Sequence, residues 1–264
     1  MRTTARRATV LTLLPPLTVS AALFVLPLAS MVGASLAGGG SHYATFAGDP
    51  YYVSAFGITF GTALLVTLLA VAAAYPLAYT YWQAGTRRRA VLLVLLLSPF
   101  YANVTVKVFG WMVLLPAWLR DSYWAIVVID VHRSLPFAVL LLAAAMARID
   151  REVMESARIC GAGPLGVFRR IVMPLSLPGA VGAGILIFSL TSASFVVPLL
   201  VGGRAGSRFL SVLMYQQFTI ARNWGLAAAM AVVLLATSVL TVAAASRLLR
   251  ASAPGRLAQE GHGG

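Results

Sequence analysis

Apolar residues fall along this chain in long unbroken blocks rather than in the alternation of a half-buried strand or the stripe of a surface helix. Six blocks stand out, near 9–36, 56–82, 90–118, 123–147, 177–201 and 223–247. About 20 apolar residues of helix cross the ~30 Å hydrocarbon of a bilayer, and backbone amides in lipid must bond within their own segment. The pattern therefore predicts an all-α integral membrane protein with six transmembrane helices. The interruptions are polar or turn-forming: Gly38 to His42, Gly85 to Arg89, Arg120 and Asp121, and Gly202 to Arg208. Between the fourth and fifth blocks lies a different kind of segment, 148–176, which is polar, Arg-bearing and helical in character.

Composition agrees with the pattern, since 60% of residues are hydrophobic, 10% are charged and mean hydropathy is +0.88. The formal net charge of +13 follows mostly from topology. Arg2, Arg6, Arg7, Arg87, Arg88, Arg89, Arg148, Arg151, Arg158, Arg169, Arg170, Arg247, Arg250 and Arg256 fall on one alternating set of connections. Only Arg120, Arg204, Arg208 and Arg222 fall on the other. Because arginine and lysine near span ends stay on the cytoplasmic side, both termini and the 148–176 loop are expected there, in a multi-pass protein of a bacterial plasma (inner) membrane. Cations dispersed at span ends, without an aromatic stacking platform, argue against nucleic acid as a partner.

Residues 1–8 read as a cytoplasmic tail and 9–36 as an uncleaved first span, too long for the apolar region of a signal peptide, with Pro15, Pro16 and Pro27 expected to kink it. The Gly- and Tyr-rich stretch 37–55 is expected at the outer membrane surface. Residues 251–264 cannot bury a core and are expected to be a disordered cytoplasmic tail. The lone cysteine, Cys160, is read as a packing residue.

Local signals in 148–176 agree on a helix, a turn and a second helix. Asp150 suits an N-cap and Glu152 the first turn; Gly161 and Gly163 interrupt; Pro164 suits the first position of the next helix, which Pro174 is expected to stop. Ala157 and Gly161, four apart, would present one small-residue side for close approach of another backbone, with Glu155 and Arg158 projecting charge. A docking element and an amphipathic helix lying on anionic lipid are equally compatible with these residues.

Glu155-Ser156-Ala157, Gly161-Ala162, Phe168 and the ending Ile171 to Pro174 resemble, in order and spacing, the EAA loop of type I ABC importer permeases, the binding-protein-dependent, MetI-like family. Ser156 stands where the pattern has its middle alanine. Tyr75 to Tyr79, Ser98 to Phe100 with Trp111 to Leu115, Leu135 to Phe137, Pro174 to Gly179 and Phe195 to Pro198 resemble the spermidine/putrescine branch. The likeness covers about 55–250, which it identifies as a type I ABC transmembrane domain with coupling loop 148–176. It implies that Glu155, Ser156, Ala157, Gly161, Ala162, Phe168 and Pro174 form a coupling helix seated in an ATPase subunit. It also implies import, two ATPase copies, a second permease that is an identical copy or, as the polyamine branch favours, a paralogue, and an extracytoplasmic solute-binding protein. The chain itself has no phosphate-binding loop, because its single lysine, Lys107, lies in Val104 to Phe109 rather than in a Gly-rich loop. ATP-Mg is accordingly assigned to the partner ATPase, no cofactor to this chain, and no enzymatic activity.

Charges inside spans are costly and mark functional positions by default. Lys107 in the third span and Asp130 and Arg133 in the fourth are the candidates for the translocation path, together with Trp111 and Ser194. Asp130 and Arg133, three apart, can simply pair on one helix face, and Lys107 can snorkel outward. His132 reads as a packing residue, and Trp111, Trp118, Tyr123 and Trp124 as an interfacial aromatic belt. The polyamine branch often carries an acid just before the phenylalanine of Phe195-Val196-Val197-Pro198, where this chain has Ser194. A polyamine-like solute is expected from the resemblance, whereas the intramembrane charge, +1 from Lys107, Asp130 and Arg133, suits an anionic or zwitterionic solute or an iron complex. A secondary carrier or channel would need more buried carboxylates, and a membrane enzyme would need convergent groups that His42, His132 and His262 do not supply.

Overall fold

The structure is a computed structural model that describes residues 2–203 and 208–251. The tail expected at 251–264 lies, from 252 on, outside the described residues, as does Arg204. All described regular elements are helical: α1 (Arg2–Leu36), α2 (Ser41–Gly48), α3 (Pro50–Gln83), α4 (Thr86–Tyr101), α5 (Val104–Leu114), α6 (Tyr123–Met146), α7 (Arg151–Ile159) and α8 (Pro164–Val167). A π-helical turn, Phe168–Val172, then joins α8 to α9 (Met173–Ser192). α10 (Val196–Val201), α11 (Leu210–Thr219) and α12 (Trp224–Ala251) complete the chain. Among the described residues five helices are long and apolar enough to cross a membrane, and six if the bent pair α4 and α5 is one span.

Two expected spans differ from the straight helices of the sequence reading. The third, placed at 90–118, is broken after Tyr101 and turns by 102° into α5. Pro99 has no N–H for the carbonyl of Leu95, which instead accepts the Ser98 hydroxyl at 2.9 Å. Asn103 then caps α5, its side chain accepting from the Thr105 amide at 2.9 Å. The fifth span, placed at 177–201, begins earlier and stops at Ser192, and 196–201 is the separate short helix α10. Pro174 does not stop a helix: a π-helical turn, Phe168–Val172, directly precedes it, and the chain stays helical from Pro164 to Ser192. The helix α11 has no counterpart in the sequence reading.

The described residues form two compact units, one joining the stretch up to Val53 with Leu213–Leu235, the other joining the stretch from Ser54 to Val212 with that from Ala236 on. In the first, Ser35 and Tyr43 share a hydrogen bond of 2.8 Å and Gln217 donates to the Tyr52 hydroxyl at 3.2 Å. In the second, α3, α6 and α9 build the main core. On α3 the buried line Ala63, Val66, Ala70, Ala74, Ala78 repeats every three or four residues, which places it on one face. Val139, Leu142 and Met146 of α6 and Ala180 and Ile187 of α9 share that core. α6 and α9 approach closely through small residues: a Cβ on Gly179 would collide with that of Ala145. Lipid offers no hydrophobic drive between helices, so such close backbone approach supplies much of their adhesion.

Candidate functional site

Two features stand apart from the packed bundle, a helical hairpin at 150–172 and a cavity bordered by two breaks in the helices. The hairpin is fixed from both ends. Asp150 occupies the N-cap position of α7 without a side-chain bond, and Glu152 lies in the first turn. At the other end Gly161 takes φ +84°, the Ala162 amide donates to the Ala157 carbonyl at 3.0 Å, and the Gly161 amide donates to Arg158 at 2.9 Å. This pair of bonds is a Schellman cap, and the left-handed residue at its centre favours glycine. Gly161 therefore ends α7 and turns the chain, rather than lying on a common helix side with Ala157. Ala157, Met154 and Ala162 face inward, against the main core. Glu155, Ser156 and Cys160 are exposed, so Cys160 is no packing residue.

Phe168 anchors the hairpin. Its ring meets Tyr79 edge-on at 5.1 Å and Tyr75 at 6.1 Å, both on α3. Tyr75 is tied in turn to α9 by a Ser176 hydroxyl at 3.4 Å. At the tip of the hairpin two large apolar side chains are exposed, Ile159 at 87% and Leu165 at 67%. Beneath α7 a recess of 240 Å³ is lined by Trp82, Gln83, Met154, Glu155 and Arg158.

The cavity, 390 Å³, is walled by Pro99, Phe100 and Val104 at the first break and by Ala193, Ser194 and Phe195 at the second. Lys107 and Arg133 also line it. Non-helical backbone at membrane depth is tolerated where it is buried in protein or lines a water-filled space, and here both breaks border one space. One carbonyl at each break has a side-chain partner, while the Thr191 hydroxyl beside the second break is buried without one. The Lys107 ammonium donates to the Pro99 carbonyl at 3.0 Å, closing the open end of α4, and the Ser211 hydroxyl donates to the Ser194 carbonyl at 2.7 Å.

Asp130 and Arg133 do pair, at 2.9 Å, with side chains 1% and 21% exposed. Arg133 also reaches the Leu190 carbonyl at 3.5 Å, and the Ser194 hydroxyl donates to Asp130 Oδ1 at 3.4 Å. The pair thus joins α6 to the end of α9. Lys107, Arg133 and Ser194 meet at the cavity; Asp130 lies behind it, and Trp111 is elsewhere, half-buried and donating its indole N–H to His132 Nδ1 at 3.3 Å. Among the described residues no group of His, Cys, Asp or Glu is placed to hold a metal ion. Sequence reasoning named Ser98 to Phe100 and Ser194 but did not foresee the breaks at Ala102 to Asn103 and Ala193 to Phe195; Ser98-Pro99 followed by Asn103 carried the signal for the first.

Comparison with known proteins gives one family. Residues 3–252 match the binding-protein-dependent transport system inner membrane component family. The spermidine/putrescine transport system permease protein PotB of Escherichia coli (strain K12) is 28% identical over 222 residues, covering 76% of this chain and 80% of PotB. The molybdenum transport system permease protein ModB of Azotobacter vinelandii is 34% identical over 167 residues, covering 57% of this chain and 73% of ModB. In fold, a chain of a bacterial ABC transporter involved in the import of the acidic polysaccharide alginate superposes with a TM-score of 0.78 at 15% identity, over 94% of this chain and 97% of the other. A family match along nearly the whole sequence, on a helical bundle with the expected hairpin, leads to one assignment: the chain belongs to the binding-protein-dependent transport system inner membrane components.

Proposed function

We propose that this chain forms half of the solute pathway of an ATP-driven importer, with the 148–176 hairpin facing the cytoplasm and seated in the ATPase. Binding-protein-dependent importers of this family keep the ATPase on a separate subunit and work with a periplasmic binding protein. The observation that carries the docking role is the hairpin tip, where Ile159 and Leu165 are exposed on a backbone pinned by the Gly161 cap and by Phe168. Exposed apolar side chains on a rigid projection suit a protein socket. Glu155, Ser156, Ala157, Gly161, Ala162, Phe168 and Pro174 divide the work: Glu155 and Ser156 meet the ATPase, and the others hold the shape. Lys107, Arg133 and Ser194 line the path, and Asp130 positions Arg133. The transmembrane domain proper is 55–250, both termini are cytoplasmic, and two ATPase copies and a paralogous permease complete the complex.

Cys160 gives a direct test, being the single cysteine and exposed at the tip. In sealed inside-out vesicles a membrane-impermeant maleimide should label it, and assembly with the ATPase should protect it. Labelling only from the outer face, or labelling unaffected by the ATPase, would overturn both orientation and docking. Likeness to PotB supports a polyamine as the solute. The charges lining the cavity support the opposite class, an anion.

A further inference from the structure

We propose that the cavity between the two helix breaks recognises a small organic anion, with a carboxylate or similar group held by Lys107 and Arg133 and an apolar body lying against Phe100, Phe137 and Phe195. This rests on the cavity being the solute path.

The charge argument is specific to this geometry. Asp130 is buried behind the cavity wall: its Oδ1 is engaged by Arg133 and Ser194, and its Oδ2, unpaired among the described residues, is buried too, so neither oxygen is exposed to a cation. The cationic groups, in contrast, line the cavity itself. Arg133 uses Nε and Nη2 on Asp130 and on the Leu190 carbonyl, which leaves the two N–H groups of Nη1 without a partner among the described residues. Lys107 spends one of three ammonium donors on Pro99. Since Asp130 cancels Arg133, the lining carries one net positive charge, and a polyamine would bring two or more further positive charges into the same space. Like charges brought within a few ångströms of one another repel.

The remaining wall decides what kind of anion. Pro99, Phe100, Val104, Pro136, Phe137 and Leu190 are apolar, and Phe100 meets Phe137 edge-on at 4.8 Å. A bare oxyanion would shed its water against carbon with few donors in return, an expensive exchange. A carboxylate on an aromatic or aliphatic body satisfies both parts, and 390 Å³ lies within the ordinary range for small-ligand sites.

The test is equilibrium dialysis of the complete transporter in nanodiscs, with empty nanodiscs as the control and radiolabelled benzoate and spermidine as probes. Benzoate should bind saturably, and Lys107→Gln, which keeps a donor for Pro99 but loses the charge, should weaken it about tenfold or more. Lys107→Arg should bind within about threefold of the parent, because it keeps the charge. Spermidine bound without benzoate, no binding of either, or benzoate affinity unchanged in Lys107→Gln would each overturn the proposal. Cys160 protection by the ATPase is scored on the same preparations. If it persists while benzoate fails, the anion site alone falls; if it too is absent, the importer reading falls with it.

Discussion

Replacing Gly161 isolates the backbone's part in coupling, because space is not at issue there: a Cβ at this position meets nothing within 4 Å. Only the φ of +84° opposes a side chain. Holding an L-residue in the left-handed region costs about 1–2 kcal/mol, less for asparagine and more for a β-branched residue. That amount weakens the Schellman bonds from Gly161 and Ala162 relative to the frayed helix end. One kcal/mol is about fivefold and two about thirtyfold in an equilibrium constant, so exchange of the amides at 161 and 162 should accelerate by about 5- to 30-fold in Gly161→Ala. Hydrogen exchange of the hairpin in nanodiscs measures this directly, beside ATP hydrolysis and uptake in proteoliposomes. The order of both protection and coupling should be Gly, Asn, Ala, Val, from best to worst. If Gly161→Val exchanges and couples like the parent, the cap is not what shapes the docking element.

Other variants separate the remaining parts. Glu155→Arg should uncouple ATP hydrolysis from uptake while the protein still inserts and folds; unchanged uptake would count against docking through this face. Phe168→Ala removes the edge contacts to Tyr75 and Tyr79, about 2 kcal/mol for a half-buried ring, and should loosen coupling with little change in ATPase assembly, read by the ratio of ATP hydrolysed to solute transported. Arg133→Gln strands Asp130 and should destabilise the fold by up to about 3–5 kcal/mol, with Asp130→Asn added in the same chain recovering much of the loss in thermal denaturation; no recovery would dismiss the ion pair as a unit. Gly179→Val should separate α6 from α9 and lower the denaturation midpoint, the overpacking costing about 1–3 kcal/mol, and a midpoint equal to the parent's would mean the contact is slack.

Six apolar blocks and one polar hairpin were readable before any coordinates, because bilayer thickness translates directly into block length. Pro164 at a helix start and the Asp130 and Arg133 pair were readable too, since each depends on residues within one turn. The breaks were not. Val104 to Leu115 is as apolar after the 102° bend as before it, so hydropathy continues across a corner that only Pro99 and Asn103 mark. Pro174 misled for the converse reason: proline usually stops a helix, whereas here a π-helical turn directly before it lies within a helix that continues past it. Ser194 was singled out as a departure from a family pattern, whereas its place at the cavity comes from the helix end at Ser192 and from Asp130 sixty-four positions earlier.

The unbroken helical run from Pro164 to Ser192 spans 29 residues, about 43 Å at 1.5 Å per residue. One end is the hairpin and the other abuts Ser194, so the two sites share a single strut. Rocking such a strut by about 5° about its hairpin end would sweep the far tip by about 4 Å, wide enough to pinch or open the chamber beside it. Mechanical work would then travel as a tilt of backbone, and side chains along its length would matter through the packing that holds the rod, as at Phe168 and Gly179.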